Sequence, residues 1–254
     1  MPAARKKGKG AADEQAGLAK SQGRLLDLVG WGKELIRDLS GHIPAEEEAF
    51  IAAQVHALGR DNPARPNLPP DPTSPTIVNN RNVLKTLAAK MADADDIVLD
   101  LETSDLDPRK GVVVGAGLAI ADATYYLPIN HCFEESGALR PGQLTLLDVL
   151  RVLPLQKPFI NHNVKFEMRW LHYHGRVNCR FVWDTMIAAR LLRSDLPSDL
   201  ETVAMREFDV PAWGMPQADI KRVRFVPIER VASYCAKDCW YTLSLYREQR
   251  ACMN

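Results

Sequence analysis

The stretch 96-DIVLDLETSDLDP-108 decides how the chain is read. Ile97, Val98 and Leu99 are apolar at successive positions, the pattern of a strand covered on both faces. Asp100 and Glu102 follow in the same run. Alternate strand residues point to one face, so the two carboxylates lie side by side. An isolated D-x-E most often marks an exposed strand edge, but the apolar run before it argues for burial, and a buried carboxylate is costly unless something pairs with it. Thr103–Leu106 then leave the strand. Both acids therefore fall at its C-terminal end, where sheets of α/β proteins open ligand crevices.

Outward from this strand the pattern is that of an α/β domain. A helix is expected over 83–91, and 111-GVVVGAGLAIADATYYLPIN-130 supplies two strands at hairpin-like spacing, turning at Ala121-Asp122-Ala123. A helix over 143–152 leads to a short strand in 158-PFINHN-163. Helices over 164–174, 183–192 and 200–208 precede a long last helix over 227–250. Strands come early and helices late around one sheet, which predicts a single mixed α/β core.

Upstream, residues 1–21 read as a basic solvated tail, 22–60 as a small helical extension of two amphipathic helices, and 61–79 as a proline-rich linker. The domain is expected to fill 80–254. The chain has 254 residues, 46% hydrophobic and 25% charged, with a formal net charge of zero. No overall field draws it to nucleic acid, so such binding needs local patches. Its five cysteines, odd in number and without paired spacing, fit a reducing compartment. With neither a secretory signal nor an apolar run of membrane-spanning length, the expectation is a cytoplasmic protein with no membrane partner.

Two more constellations carry acids. In 161-NHNVKFEMRWLHYHG-175, Asn163 has the place of an N-cap and Glu167 follows one turn into the helix. Alone, Glu167 would be an ordinary first-turn charge. In 229-ERVASYCAKDCWYTLSLY-246, Tyr234 and Asp238 are spaced i, i+4 and so share a helical face. Each is common by itself. His172 and His174, at i, i+2, diverge on a helix and do not suggest zinc.

Together the motifs LDLETSDLDP, HNVKFEMRWL and YCAKDCWYTL resemble those of the DEDD superfamily of 3′–5′ exonucleases, tyrosine subtype, and most closely the proofreading exonuclease domain of family-A DNA polymerases. FVWDTMIAARLL and DLETVAMREF resemble the intervening helices, and the resemblance covers about residues 80–250. It implies a ribonuclease-H-like fold, a mixed β-sheet flanked by helices. It also implies that Asp100, Glu102 and Asp238 hold one divalent ion, and that Asp100 and Glu167, the latter through water, serve a second, Mg²⁺ or Mn²⁺. Tyr234 orients the attacking water. Leu106 is the apolar wedge beside the 3′-terminal base, Thr103 lies beside the terminal nucleotide, and Asn163 lies near the strand. The family usually has aspartate at the position of Glu167, which changes the reach of that carboxylate.

Two divalent ions about 3.5–4 Å apart suit phosphodiester hydrolysis, and hard ions prefer carboxylate oxygens and water. Metal is thus the partner expected for the buried pair on the strand. The expected substrate is the 3′ end of single-stranded DNA. Lys221, Arg222 and Arg224, in 220-IKRVRF-225, offer backbone contacts or else form a solvated loop. Trp213 and Met215, in 210-VPAWGMPQ-217, read as core cover, with stacking on a base as the alternative. The helical extension is expected to dock on a DNA polymerase or another replication protein. An exoribonuclease of ribonuclease D type and a catalytically silent nucleic-acid-binding module stay open as alternatives; retention of four acids and the tyrosine favours the enzyme.

Overall fold

The computed structural model describes residues 74–121 and 123–253. The basic tail, the helical pair and the linker as far as residue 73 lie outside the described residues, as does Asp122 of the expected turn. Six strands form one mixed sheet: β1 (Thr76–Ile77), β2 (Ile97–Thr103), β3 (Val113–Ile120), β4 (Ala123–Pro128), β5 (Pro158–Asn161) and β6 (Arg180–Asp184). Their order across the sheet is β1-β4-β3-β2-β5-β6. The β2-β3-β4 meander is antiparallel, and β5 and β6 extend it in parallel with β2.

Helices cover both faces. On one lie α1 (Arg81–Asp93), α2 (Leu146–Val152) and α3 (Val164–Trp170), whose Leu84, Leu87, Met91, Val149 and Trp170 meet Ile97, Leu99 and Leu101 of β2. The opposite face carries the long α7 (Ile228–Met253), whose Val231, Cys235, Cys239 and Leu243 pack with Val98, Val114 and Ile160. Three short helices come between, α4 (Thr185–Leu192), α5 (Leu200–Phe208) and α6 (Gln217–Ile220). β2 is thus apolar toward α1 throughout, but apolar toward α7 only at Val98. Asp100 and Glu102 continue that second face, so strand alternation delivers them to the helix that carries Tyr234 and Asp238.

Local chemistry explains several boundaries. Asn80 caps α1 by accepting from the backbone of Asn82 and Val83. Thr145 and Asp148 form a capping box that starts α2 three residues later than its sequence pattern suggests. Ala121 takes up the tight β3–β4 turn with φ of 53°.

Three expectations need correction. The stretch read as linker to residue 79 contains β1, which pairs in parallel with Tyr125 and Tyr126; two residues are too few to show a period. Trp183 is in a strand rather than a helix. It pairs with Ile160, packs edge-on against Tyr246 at 5.5 Å and donates from its indole to Gln249, and the helix begins only at Thr185. The helix expected over 164–174 is α-helical to Trp170 and then loosens into a π turn over Leu171–Gly175, where His174 stacks on Trp170 at 5.0 Å.

Candidate metal centre and active site

The acids of β2 and α7 converge. Carboxylate oxygens of Asp100, Glu102 and Asp238 lie within 4.8 Å of one another. The close approach has a cause in β3. Gly117 is the cross-strand partner of Asp100, and Gly115 that of Glu102. A Cβ on Gly117 would come within 2.5 and 2.6 Å of the Cys235 and Cys239 sulfurs, and one on Gly115 would collide with the Tyr126 phenol. Gly117 opposite Asp100 lets α7 settle onto the sheet, and Gly115 opposite Glu102 leaves room for the Tyr126 phenol.

The ion pairs of Arg81, Arg109, Arg193, Arg206, Arg222 and Arg230 all go to other carboxylates. Burial, countered by a hydrogen bond from the Cys235 thiol, pushes the Asp100 carboxyl up to about 6. Glu102 is raised by burial and then by Asp100 and Asp238. Asp238 is raised by burial and Asp100, against hydrogen bonds from Trp213 and Tyr234 that favour its charge. Burial raises all three carboxyls and Asp100 raises the other two, a charge balance that a bound cation would relieve. Burial and the neighbouring carboxylates also keep the Tyr234 phenol protonated, and its O–H donates to Asp238.

Glu167 stands one step apart. Its side chain is buried, Oε2 has no hydrogen-bond partner, and it belongs to neither cluster of three potential ligand atoms among the described residues. Burial and then Asp100 raise its carboxyl, while backbone N–H groups of Glu167 and Leu101 oppose this. The start of its helix departs from expectation: Asn163 sits in the left-handed region at φ 75° and its side chain makes no cap. Asp184, at the end of β6, caps instead. Its Oδ1 accepts from Asn163 N and Met186 N, and its Oδ2 from Val164 N. One carboxylate thus satisfies the starts of both α3 and α4 and sets the angle at which Glu167 meets the centre.

Trp213 covers the core as expected, packing against the cluster of Ala204, Trp240 and Tyr241, and it also reaches the acids. Its indole Nε1–H donates to Asp238 Oδ1 at 2.7 Å, and its ring lies 4.4 Å from that of Tyr241. Glu201 of α5 holds the loop by accepting from the backbone of Trp213 and Gly214 at 2.6 and 2.8 Å. No periodic or motif signal marks a tryptophan in a proline-rich loop 25 residues from its partner.

The remaining candidates divide. Leu106 is 79% exposed beyond the end of β2, the posture of a group awaiting an apolar partner. Thr103 donates its hydroxyl to Asp105 O, which shapes the same loop. Arg224 donates to Asn130 O, and Arg222 pairs with Glu134 while lying over Phe225. Two of the three basic side chains therefore tie this segment to the loop after β4, at Asn130 and Glu134, and Lys221 is exposed. His162, His172 and His174 bond to Thr185 and Ser198, to Asn178 and to Pro108 respectively.

Comparison with known proteins agrees with this architecture. A 3′–5′ exonuclease family model matches residues 75–250, and the chain belongs to that family, as a domain of the DEDD type. Over 220 residues it is 31% identical to DNA polymerase I of Chloroflexus aurantiacus, taking in 83% of this chain but 23% of the polymerase. The chain thus spans about a quarter of the length of that curated relative. Among solved structures, Escherichia coli RNase D superposes with a TM-score of 0.53 at 13% identity, over 70% of this chain and 44% of that one. The catalytic core of RRP6 from Trypanosoma brucei does so with 0.52 at 23%, over 75% and 50%. At these identities the likeness is one of fold, the ribonuclease-H-like α/β arrangement.

Proposed function

We propose that this chain removes nucleotides one at a time from the 3′ end of single-stranded DNA, using two divalent ions, Mg²⁺ or Mn²⁺. The observation that carries the reading is the cluster of Asp100, Glu102 and Asp238, with oxygens within 4.8 Å of one another and all three carboxyls raised by burial. An all-oxygen donor set suits hard ions. The unpartnered Oε2 of buried Glu167 supports a further ion or its water on that side.

In this reading Asp100, Glu102 and Asp238 hold one ion, and Asp100 and Glu167 support the other. Bound there, divalent ions supply an activated water and neutralise charge on the leaving oxygen. The Tyr234 phenol spends its proton on Asp238, which leaves its oxygen free to accept from the attacking water and so orient it. Leu106 rests against the terminal base, Thr103 and Asn163 border the terminal nucleotide, and Lys221, with Arg222 and Arg224 once released from their loop contacts, follows the phosphates.

DNA rather than RNA is inferred from likeness to a protein named as a DNA polymerase. The role follows as proofreading or end trimming, with residues 22–60 docking on a polymerase or another replication protein. Recovery of such a partner with the full chain and with a chain lacking residues 1–75 tests this; equal recovery overturns it. The activity is tested with 5′-labelled single-stranded DNA and RNA of one sequence, in Mg²⁺, Mn²⁺ or chelator. The expected result is a metal-dependent ladder shortening from the 3′ end of DNA, absent in Asp100→Ala and Asp238→Ala and slowed in Tyr234→Phe with DNA binding kept. A ladder on RNA alone reassigns the substrate, and full activity in purified Asp100→Ala overturns the mechanism.

A further inference from the structure

Two thiols flank the carboxylate centre, and the proposed hydrolysis does not use them as ligands. Cys235 and Cys239 are i, i+4 on α7 and share the face turned to the sheet. Both sulfurs and a carboxylate oxygen of Asp100 lie within 4.8 Å of one another. Cys235 Sγ is 3.4 Å from Asp100 Oδ2, and the same thiol reaches Glu102. The floor of this cluster is Gly117, where a side chain would displace both sulfurs.

Hard Mg²⁺ gains nothing from sulfur, but a borderline or soft ion does. Tetrahedral bonds of about 2.3 Å to sulfur and about 2.1 Å to oxygen place those two ligand atoms about 3.6 Å apart. The Cys235–Asp100 pair is already near that spacing. We propose that Asp100, Cys235 and Cys239 form a second cation site, selective for thiophilic divalent ions such as Zn²⁺ and Cd²⁺ and overlapping the carboxylate centre through Asp100. Loading breaks two S–H bonds, forms two metal–sulfur bonds and one metal–oxygen bond, and releases two protons to solvent. No oxidant is needed. Glu102 is placed to complete the shell.

Asp100 cannot serve both arrangements, so a soft ion held on the thiol side disables the hard-ion centre. That inhibition rests on the exonuclease reading; the binding does not. The ion reaches the buried sulfurs by way of Asp100, which is partly buried, rather than through the core.

The test uses the full chain carrying Cys252→Ser, which removes the exposed cysteine; Cys132 and Cys179 are buried. Titration with CdCl₂ is followed by thiolate-to-cadmium charge-transfer absorption in the ultraviolet. One equivalent should develop the band, and Cys235→Ser/Cys239→Ser should abolish it. Asp100→Asn should weaken binding by more than the about 10–100-fold that loss of an outer partner costs. Circular dichroism checks the double variant's fold, and the smaller change Cys239→Ala, expected to weaken the band, keeps the test decisive if the double variant fails to fold. A band undiminished in these variants, or cadmium binding without any band, overturns the proposal. In parallel, Cd²⁺ should stop Mg²⁺-dependent cleavage at near-stoichiometric amounts, reversibly on adding a competing thiol. Absence of cleavage before cadmium is added overturns the proposed activity instead, and the absorption result still decides the thiol site.

Discussion

Replacing Trp213 with phenylalanine keeps an aromatic ring against Tyr241 and removes a single hydrogen bond, the one to Asp238. A hydrogen bond to a charged group contributes about 1.5–3 kcal/mol. Both partners are half-buried, which favours the lower end, and about 1.4 kcal/mol is a factor of ten. A group that steadies a metal ligand from outside is independently worth about 10–100-fold in metal affinity. The two routes meet at roughly tenfold. Trp213→Phe should therefore raise the half-saturating Mg²⁺ for cleavage by about tenfold while the rate at saturating metal stays within a few fold. Calorimetric titration of the DNA-free protein with Mn²⁺ should show the same loss, a readout independent of turnover. The melting temperature reports whether the fold survived. Unchanged metal dependence with a lower maximal rate would refute the argument, because it would place Trp213 on the substrate side.

The other predictions concern charge and reach. Asp100, at about 6 in the folded protein, holds a proton between its ordinary 3.8 and 6 that the unfolded chain has released, so metal-free stability falls as pH rises through that window. His131 and His162, held down to about 4 by burial, act oppositely between 4 and 6.5. Asp100→Asn isolates the acid: in metal-free melting curves it should gain on wild type at pH 7.5 but not at pH 4, and Mg²⁺ should stabilise wild type only at the higher pH. Glu167→Asp should slow cleavage, since shortening a buried side chain by one methylene withdraws it from the Leu101 N–H and leaves a gap worth about 1 kcal/mol; a faster enzyme in single-turnover assays would mean the glutamate is a compromise. Asp184→Ala uncaps two helices at once and should cost at least about 1–2 kcal/mol in urea unfolding, with a larger loss of cleavage than of stability alone, because α3 carries Glu167.

What the sequence made legible was whatever repeats or stays local. The apolar run into Asp100 announces a covered strand, i, i+4 spacing puts Tyr234 with Asp238, and the motif holding Glu167 falls within electrostatic reach of Asp100. Short elements with no room for a period were missed: β1 in the linker, and β6, whose Trp183-Asp184 pair reads as easily as the head of a helix. Caps were misplaced for a related reason. Asn163 has the residue type of a cap, but its left-handed backbone turns that duty over to Asp184, 21 residues on. Trp213 belongs to the same class, being placed by Glu201 and Tyr241 rather than by its neighbours in the chain.

The glycines of β3 show how a pattern can be visible and still be misread. GVVVGAG contains no phosphate loop, and a glycine inside a strand ordinarily weakens it. Here the spacing of two is the point. Gly115 and Gly117 fall opposite Glu102 and Asp100 because both strands alternate with the same period, so acids and glycines are one feature written on two strands. The acids need cations near them and the helix bearing Asp238 within reach. Gly117 supplies that reach by removing a side chain that would hold α7 away, and Gly115 makes room for the Tyr126 phenol. It follows that a β-carbon at Gly117 should harm the centre without touching a ligand, displacing Cys235 and Cys239 and with them the turn of α7 that presents Asp238.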